Sequence, residues 1–216
     1  VEDFCAGHVA ENCDGQTILD VGCGSQPFRD LFEGKGLTYY GLDVATIDGT
    51  DLDFVCSIDA PLIDSLRDRE FDFILCTEVL EHVANWPAAF ENLATILKTG
   101  GKLFITCPHV YQLHEEPFDY YRPTIHAIEY FARQNNLKSI YLEKGGRDWN
   151  VLGTVIANTE FRPAKGRFYD RQLARIAEYL RRRILKSLIS NRLQRSVQAS
   201  CSIYLFNVAI LQKEAA

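Results

Sequence analysis

The chain has no methionine, only seven prolines among 216 residues, and no two of its seven cysteines in Cys-x-x-Cys spacing. The missing cysteine pairs exclude a zinc knuckle and a dithiol redox motif. Cys23, Cys56, Cys76 and Cys107 lie in or just after apolar strand-like runs and read as small buried thiols in a reducing compartment. No apolar run approaches the roughly 20 residues that a membrane span needs. The opening Val1-Glu2-Asp3-Phe4 lacks the basic and apolar regions of a secretory signal. A cytoplasmic protein is therefore expected, and the absence of Met at position 1 leaves open what precedes Val1. Hydrophobic residues at 47% and aromatics at 12% argue against disorder and for one domain with a real core.

Positive charge is also in deficit. A net charge of −6 argues against nucleic acid, DNA in particular, as the main partner. The charge is uneven, however. From Arg162 to Arg195 eleven Arg or Lys stand against two acidic residues, so the remainder carries −15.

What is present is alternation. Strand-like runs fall at 17–21, 38–42, 53–56, 71–76, 102–107, 139–142 and 202–211. Several are nearly continuous apolar runs, as strands covered on both faces are. A helix is expected from Asn85, a capping residue, through Trp86, Pro87, Phe90, Leu93 and Leu97 to a stop at Gly100-Gly101. Another begins at Thr124 and carries Ile128 and Phe131. Strand–helix alternation predicts an α/β fold, a mostly parallel sheet with helices on both faces. The whole is read as a single domain over 1–216, with a polar, aromatic lid at 108–123 and a basic helical insertion at about 162–195.

The most informative segment is Ile18-Leu19-Asp20-Val21-Gly22-Cys23-Gly24-Ser25-Gln26-Pro27. A strand ends in two glycines that turn the chain, and a helix is expected from about Pro27. Glycine there lets backbone approach a ligand and frees N–H groups at the helix start. Pro27 occupies the third glycine position of the dinucleotide fingerprint, so no pyrophosphate needs room. Asp43 ends the next strand nineteen residues after Gly24, where a carboxylate can accept both hydrogen bonds of a ribose diol.

These features, with Tyr40-Gly41-Leu42-Asp43-Val44, Phe71-Asp72-Phe73-Ile74, Thr77-Glu78-Val79-Leu80-Glu81-His82-Val83 and Leu97-Lys98-Thr99-Gly100-Gly101-Lys102-Leu103, resemble the class I S-adenosylmethionine methyltransferases, in particular the methyltransferase-11-like group. The resemblance spans about 17–146. It implies a Rossmann-like seven-stranded sheet with an antiparallel last strand. It also implies a cofactor, S-adenosyl-L-methionine, that leaves as S-adenosyl-L-homocysteine. Asp20, Gly22, Cys23 and Gly24 would hold its methionine part and Asp43 its ribose. Asp59, with Ser57 as second choice, would flank adenine, and Val44 and Thr77 line the same site.

A sulfonium needs an aligned acceptor and exclusion of water more than elaborate acid–base chemistry. A base helps a hydroxyl acceptor. His114 is the first candidate, with His82 and His109 behind it. Glu78, Tyr111, Tyr121 and Arg122 are candidate substrate contacts, and Arg122 is also placed to pair with Asp119 and fix the lid. The stretch from His109 to Thr124 resembles a His…Pro-x-Asp-Tyr-x-Arg-x-Thr signature of relatives associated with glycan or cell-surface biosynthesis, which favours a small-molecule or glycan-type acceptor, methylated on oxygen or nitrogen. The spacing of His109, His114 and Glu115 hints at a metal set, but two neighbouring acids and a flexible loop context count against it, so no metal is expected. Leu173, Ile176, Leu180, Ile184 and Leu188 share a helical face with Arg181 to Arg183 and Lys186 largely off it. That helix packs on its own domain or on a second copy of the chain, or it docks on anionic lipid or a phosphate-bearing acceptor, peripheral to a membrane. Two alternatives remain: a non-catalytic adenosyl-binding regulator, and a nicotinamide oxidoreductase. Against the second, no Tyr-x-x-x-Lys pair occurs in the chain.

Overall fold

The computed structural model describes residues 4, 7–9, 13–47 and 49–215, apart from the side chain of Asn191. Val1 to Asp3 and Cys5 lie outside the described residues. The chain divides into two compact units. The first comprises 1–109, 113–143 and 206–216, and the second 110–112 and 144–205.

The strands are β1 (Thr17–Val21), β2 (Thr38–Asp43), β3 (Phe54–Val55), β4 (Phe71–Thr77), β5 (Leu97–Pro108), β6 (Leu137–Arg147) and β7 (Tyr204–Lys213). They form one sheet in the order β3-β2-β1-β4-β5-β7-β6. β1 to β5 pair in parallel, and β7 runs antiparallel to β5. This is the expected Rossmann-like architecture with its reversed last strand. The last residues of β1, β2, β4 and β5 consequently meet at one carboxyl edge, the edge where open α/β sheets bind ligands.

The continuous apolar runs bury both faces because successive side chains alternate. Leu19, Val21, Ile74, Leu103 and Ile105 point to one side, onto Phe90 and Leu93 of α3 (Trp86–Thr95). Ile18, Leu75, Phe104 and Ile210 point to the other, onto Phe32 of α1 (Arg29–Glu33). Each such fully buried side chain contributes roughly 1.5–3 kcal/mol. Between these helices lies the four-residue α2 (Asp64–Arg67).

Two boundaries differ from the sequence reading. The helix after the glycine turn starts at Arg29, two residues later than expected. α3 stops at Thr95 rather than at Gly100-Gly101, and Leu97 begins β5. The register explains it. Phe71 pairs with Leu97 while Phe73 pairs with Lys102, so 98–101 bulge out of β5. Gly100 takes φ +81°, and a Cβ on Gly101 would lie 2.8 Å from the Lys98 carbonyl oxygen. The two glycines serve that bulge. Asn85 does cap α3, its side chain accepting from Ala88 N–H at 3.3 Å. α4 (Ile125–Gln134) follows Thr124 as read.

The second unit holds α5 (Trp149–Ala157), α6 (Phe168–Leu188) and α7 (Asn191–Ser196). The Arg181 guanidinium of α6 donates to the Ile156 and Ala157 carbonyls at 3.1 and 3.2 Å, filling the carboxyl end of α5 where carbonyls lack helical partners. Leu188 is buried, whereas Leu173, Ile176, Leu180 and Ile184 are about half exposed. No described helix is long and apolar enough to cross a membrane.

Candidate active site

The turn after β1 is built by two glycines with different constraints. Gly22 has φ +68°, and a Cβ there would fall 2.4 Å from Cγ2 of Val79. The backbone of the turn thus packs directly on the segment that follows β4. Gly24 has φ +52° and would meet only the tip of Ile47, at 4.0 Å. Its N–H donates to Oδ2 of Asp43 at 2.9 Å, and Val44 N–H donates to Oδ1 at 2.7 Å. Asp43 is therefore fixed in orientation beside the turn, with each oxygen retaining a second acceptor position. Val44 and Ile47 stand 68% and 49% exposed next to it, apolar surface at the carboxyl edge of the sheet.

Asp20 is only 2% exposed. Its Oδ2 accepts from the Tyr39 hydroxyl at 2.6 Å. Burial pushes its carboxyl up to about 7, against the lowering effect of that hydrogen bond and with a further upward push from Asp43. The Cys23 thiol is pushed up to about 12, by burial first and by Asp20 and Asp43 after it, so it stays a neutral wall. Gln26 and Arg29 brace the turn. Arg29 Nε donates to Gln26 Oε1 at 2.7 Å while its guanidinium lies 4.7 Å from the Tyr39 ring centre.

Past β3, Ser57 donates to Asp59 Oδ1 at 2.5 Å, and Asn85 N–H donates to Asp59 Oδ2 at 3.0 Å. Asp59 thereby ties the β3 loop to the start of α3. Its partners in the structure are protein groups, and Ser57 is beside it.

The segment after β4 carries the acidic and basic side chains. Thr77 ends the strand, and Glu78 holds φ +56°, a left-handed conformation costly for a side-chain-bearing residue. A single 3₁₀ turn, Leu80–His82, then places Glu81 inward, fully buried. Glu81 Oε2 receives the Cys107 thiol at 3.6 Å, and Oε1 is buried without a hydrogen-bond partner. Burial pushes its carboxyl up to about 7. The Glu81 carbonyl accepts from Tyr120 and Tyr121 N–H at 2.8 and 3.2 Å, which draws the loop after β5 onto this turn.

That loop brings His114 to His82, Nε2 to Nε2 at 3.2 Å. Asp119 and Arg122 form a bidentate pair at 2.5 and 2.6 Å, and the guanidinium holds the Asp119 carboxyl well below the usual carboxylate range. Asp119 Oδ2 also accepts from His114 N–H at 3.0 Å. The Tyr121 hydroxyl donates to the Ala84 carbonyl at 2.9 Å. His109 is elsewhere, its Nδ1 facing the Pro123 carbonyl at 2.9 Å. Tyr111 belongs to the second unit. The structure thus joins two of the three candidate histidines and adds Glu81, read in the sequence only as part of a landmark. The one available signal was a carboxylate set among Val79, Leu80 and Val83, where a solvated acid is out of place.

The family described as a methyltransferase domain matches residues 4–178. The ubiquinone biosynthesis O-methyltransferase of Idiomarina loihiensis is 31% identical over 106 residues, covering 43% of this chain and 42% of that protein. The protein of the same name from Nitrosomonas europaea is 28% identical over 129 residues, covering 55% and 52%. The chain spans about half the length of the curated relatives it matches. Phosphoethanolamine N-methyltransferase 2 of Haemonchus contortus, solved with S-adenosyl-L-methionine, superposes with a TM-score of 0.57 at 18% identity, over 96% of this chain and 50% of that one.

Proposed function

Since the chain belongs to the S-adenosylmethionine-dependent class I methyltransferases, we propose that it methylates a hydroxyl or amine of a small-molecule or glycan-type acceptor. The observation that carries this reading is the Asp43 carboxylate fastened to Gly24 N–H at 2.9 Å, on the same sheet edge as the paired histidines. The residues present suit the cofactor. Gly24 leaves backbone, not side chain, facing it, Gly22 lets the turn pack on Val79, Asp43 offers two acceptors to a ribose diol, and buried Asp20 offers a carboxylate to the methionine ammonium. Ser57 and Asp59 are assigned to the adenine side, with Val44 as an apolar wall and Thr77 near the sulfur. When bound, the sulfonium supplies an electrophilic methyl group. The chain's own part is to orient the acceptor, exclude water and receive or hold the acceptor proton at the His82–His114 pair. Glu78 and Arg122 border the acceptor side, Arg122 by holding the lid closed through Asp119. The names of the curated relatives favour oxygen over nitrogen as the atom methylated.

The test is incubation with S-adenosylmethionine carrying a deuterated methyl group and a panel of phenolic, sugar and amine acceptors. One acceptor class should gain the label while S-adenosylhomocysteine accumulates in equal amount. Cofactor binding with no acceptor labelled would favour the regulatory alternative.

A second surface enters the proposal. The half-exposed apolar face of α6 beside Arg182, Arg183 and Lys186 fits an anionic bilayer surface. Co-sedimentation with vesicles containing phosphatidylserine, absent with neutral vesicles, is the expected result. Self-association in the ultracentrifuge without vesicle binding would instead assign that face to a second copy.

A further inference from the structure

Glu81, His82 and His114 do more than border an acceptor. Among the described residues, these three bring one ligand atom each to within 4.8 Å of one another. The separations are 3.2 Å between the two Nε2 atoms, and 3.8 and 3.9 Å from them to Glu81 Oε1. The nearest point equidistant from three atoms so spaced, in their own plane, lies about 2.1 Å from each, which matches the ~2.0–2.2 Å bonds of a first-row divalent ion to imidazole nitrogen and carboxylate oxygen. We propose that Glu81, His82 and His114 form a binding site for a divalent first-row transition ion.

Three observations support the site. Glu81 Oε1 is fully buried, has no hydrogen-bond partner and faces both rings. A buried acceptor left in that state costs roughly 1–3 kcal/mol unless something fills the position. The second observation is the partners that stand behind the two rings. His82 Nδ1 lies 3.0 Å from the Phe118 carbonyl, which can only accept, so the ring proton sits on Nδ1. His114 Nδ1 lies 3.3 Å from Asp119 Oδ2. Arg122 NH2 faces the same nitrogen at 3.4 Å and can donate to it the hydrogen it does not give to Asp119, so His114 Nδ1 has a partner in either tautomer. The two Nε2 atoms meet at 3.2 Å, where one ring donates to the other without an ion, and where both lone pairs converge on one point once the His114 proton sits on Nδ1 facing Asp119. A ring N–H given to a carbonyl or a carboxylate behind each ligand is the usual support for a metal-bound histidine. The third observation is the acidic surround. Arg122 neutralises Asp119, and among the described residues Glu81 and the exposed Glu115, whose Oε2 is 3.9 Å from His82 Nε2, are acidic groups that face the rings.

Two imidazoles with one or two carboxylates favour manganese, iron, cobalt or zinc over magnesium or calcium, which prefer all-oxygen shells. The partly exposed rings leave the solvent side open to a further ligand. Resting on the methyl-transfer reading, that position suits an acceptor hydroxyl. With both Nε2 atoms held by the ion, the proton that the metal-free pair would take leaves to solvent instead, an oxygen lone pair forms the C–O bond, and the C–S bond breaks with its electron pair staying on sulfur. The expectation of no metal, drawn from His109, His114 and Glu115, is replaced by a site whose carboxylate comes from the β4 turn.

The test is titration of the full chain, stripped with a chelator and free of cofactor, with Co²⁺, followed by visible absorption and calorimetry. One equivalent should bind with d–d bands of a nitrogen- and oxygen-ligated ion. His114→Ala and Glu81→Gln should each weaken binding at least tenfold while thermal unfolding without metal stays cooperative. His114 lies in a loop, so its variant keeps the test open if the Glu81 variant does not fold. Asp43→Asn should bind Co²⁺ as the native chain does. Absence of saturable binding, or binding equal in native and His114→Ala chains, overturns the site. Because no S-adenosylmethionine is present, neither result bears on the cofactor assignment, which is tested separately.

Discussion

Gly22 and Gly24 are alike in the sequence and unlike in the fold. Alanine at Gly22 must relieve a 2.4 Å approach to Val79 and adopt a left-handed φ, whereas alanine at Gly24 meets only the second demand. Gly22→Ala should therefore cost about 2–4 kcal/mol and Gly24→Ala about 1–2 kcal/mol, read from denaturant midpoints. Equal losses would mean that the turn does not pack on Val79. Asp20 gives a pH dependence. Its carboxyl is raised to about 7 by burial, so between about pH 4 and 7 the folded chain holds a proton that the unfolded chain has released. Its contribution to stability is therefore full below about pH 4 and lost as pH rises through 7. A ligand ammonium at Asp20 favours the carboxylate, so affinity for S-adenosylmethionine should rise several-fold from pH 6 to 7.5. Calorimetry at the two pH values checks this, and Asp20→Asn should flatten the difference. An unchanged slope in that variant would remove Asp20 from the methionine site.

At the scale of elements, the carboxyl end of α5 depends on one side chain of α6. Arg181→Ala should release the Ile156 and Ala157 carbonyls, cost about 1–3 kcal/mol, and speed amide exchange along α5. Protection of α5 unchanged in that variant would contradict the capping role. Elements whose signal is local were legible in the sequence. β1 is a run of apolar residues ending in glycine, α3 has its Asn cap, and Asp43 follows at a fixed spacing. Gly100-Gly101 misled because a glycine pair marks a helix stop and a strand bulge equally well, and only the pairing of Phe71 with Leu97 decides between them. The approach of His114 to Glu81 and His82 was not legible. It depends on a loop without periodicity, drawn in by the Glu81 carbonyl more than thirty residues upstream, and spacing along the chain carries no trace of that contact.

For the whole molecule, one sheet edge collects the ends of β1, β2, β4 and β5, and the cofactor assignment concerns that edge as a unit. A ligand that binds only the folded chain stabilises it by about 2.7 kcal/mol at a hundredfold excess over Kd, which for a chain of this size raises Tm by roughly 5–10 °C. S-adenosylmethionine and S-adenosylhomocysteine should both produce such a shift and NAD none. The most direct measurement is a calorimetric titration of the native chain and Asp43→Ala with S-adenosylhomocysteine, which asks only whether the carboxylate beside the glycine turn holds the nucleoside. One site per native chain is expected, with affinity falling tenfold or more in the variant, as the loss of charge-assisted bonds to a ribose diol requires. Equal affinity in the two chains would contradict the assignment of this edge to the adenosyl group.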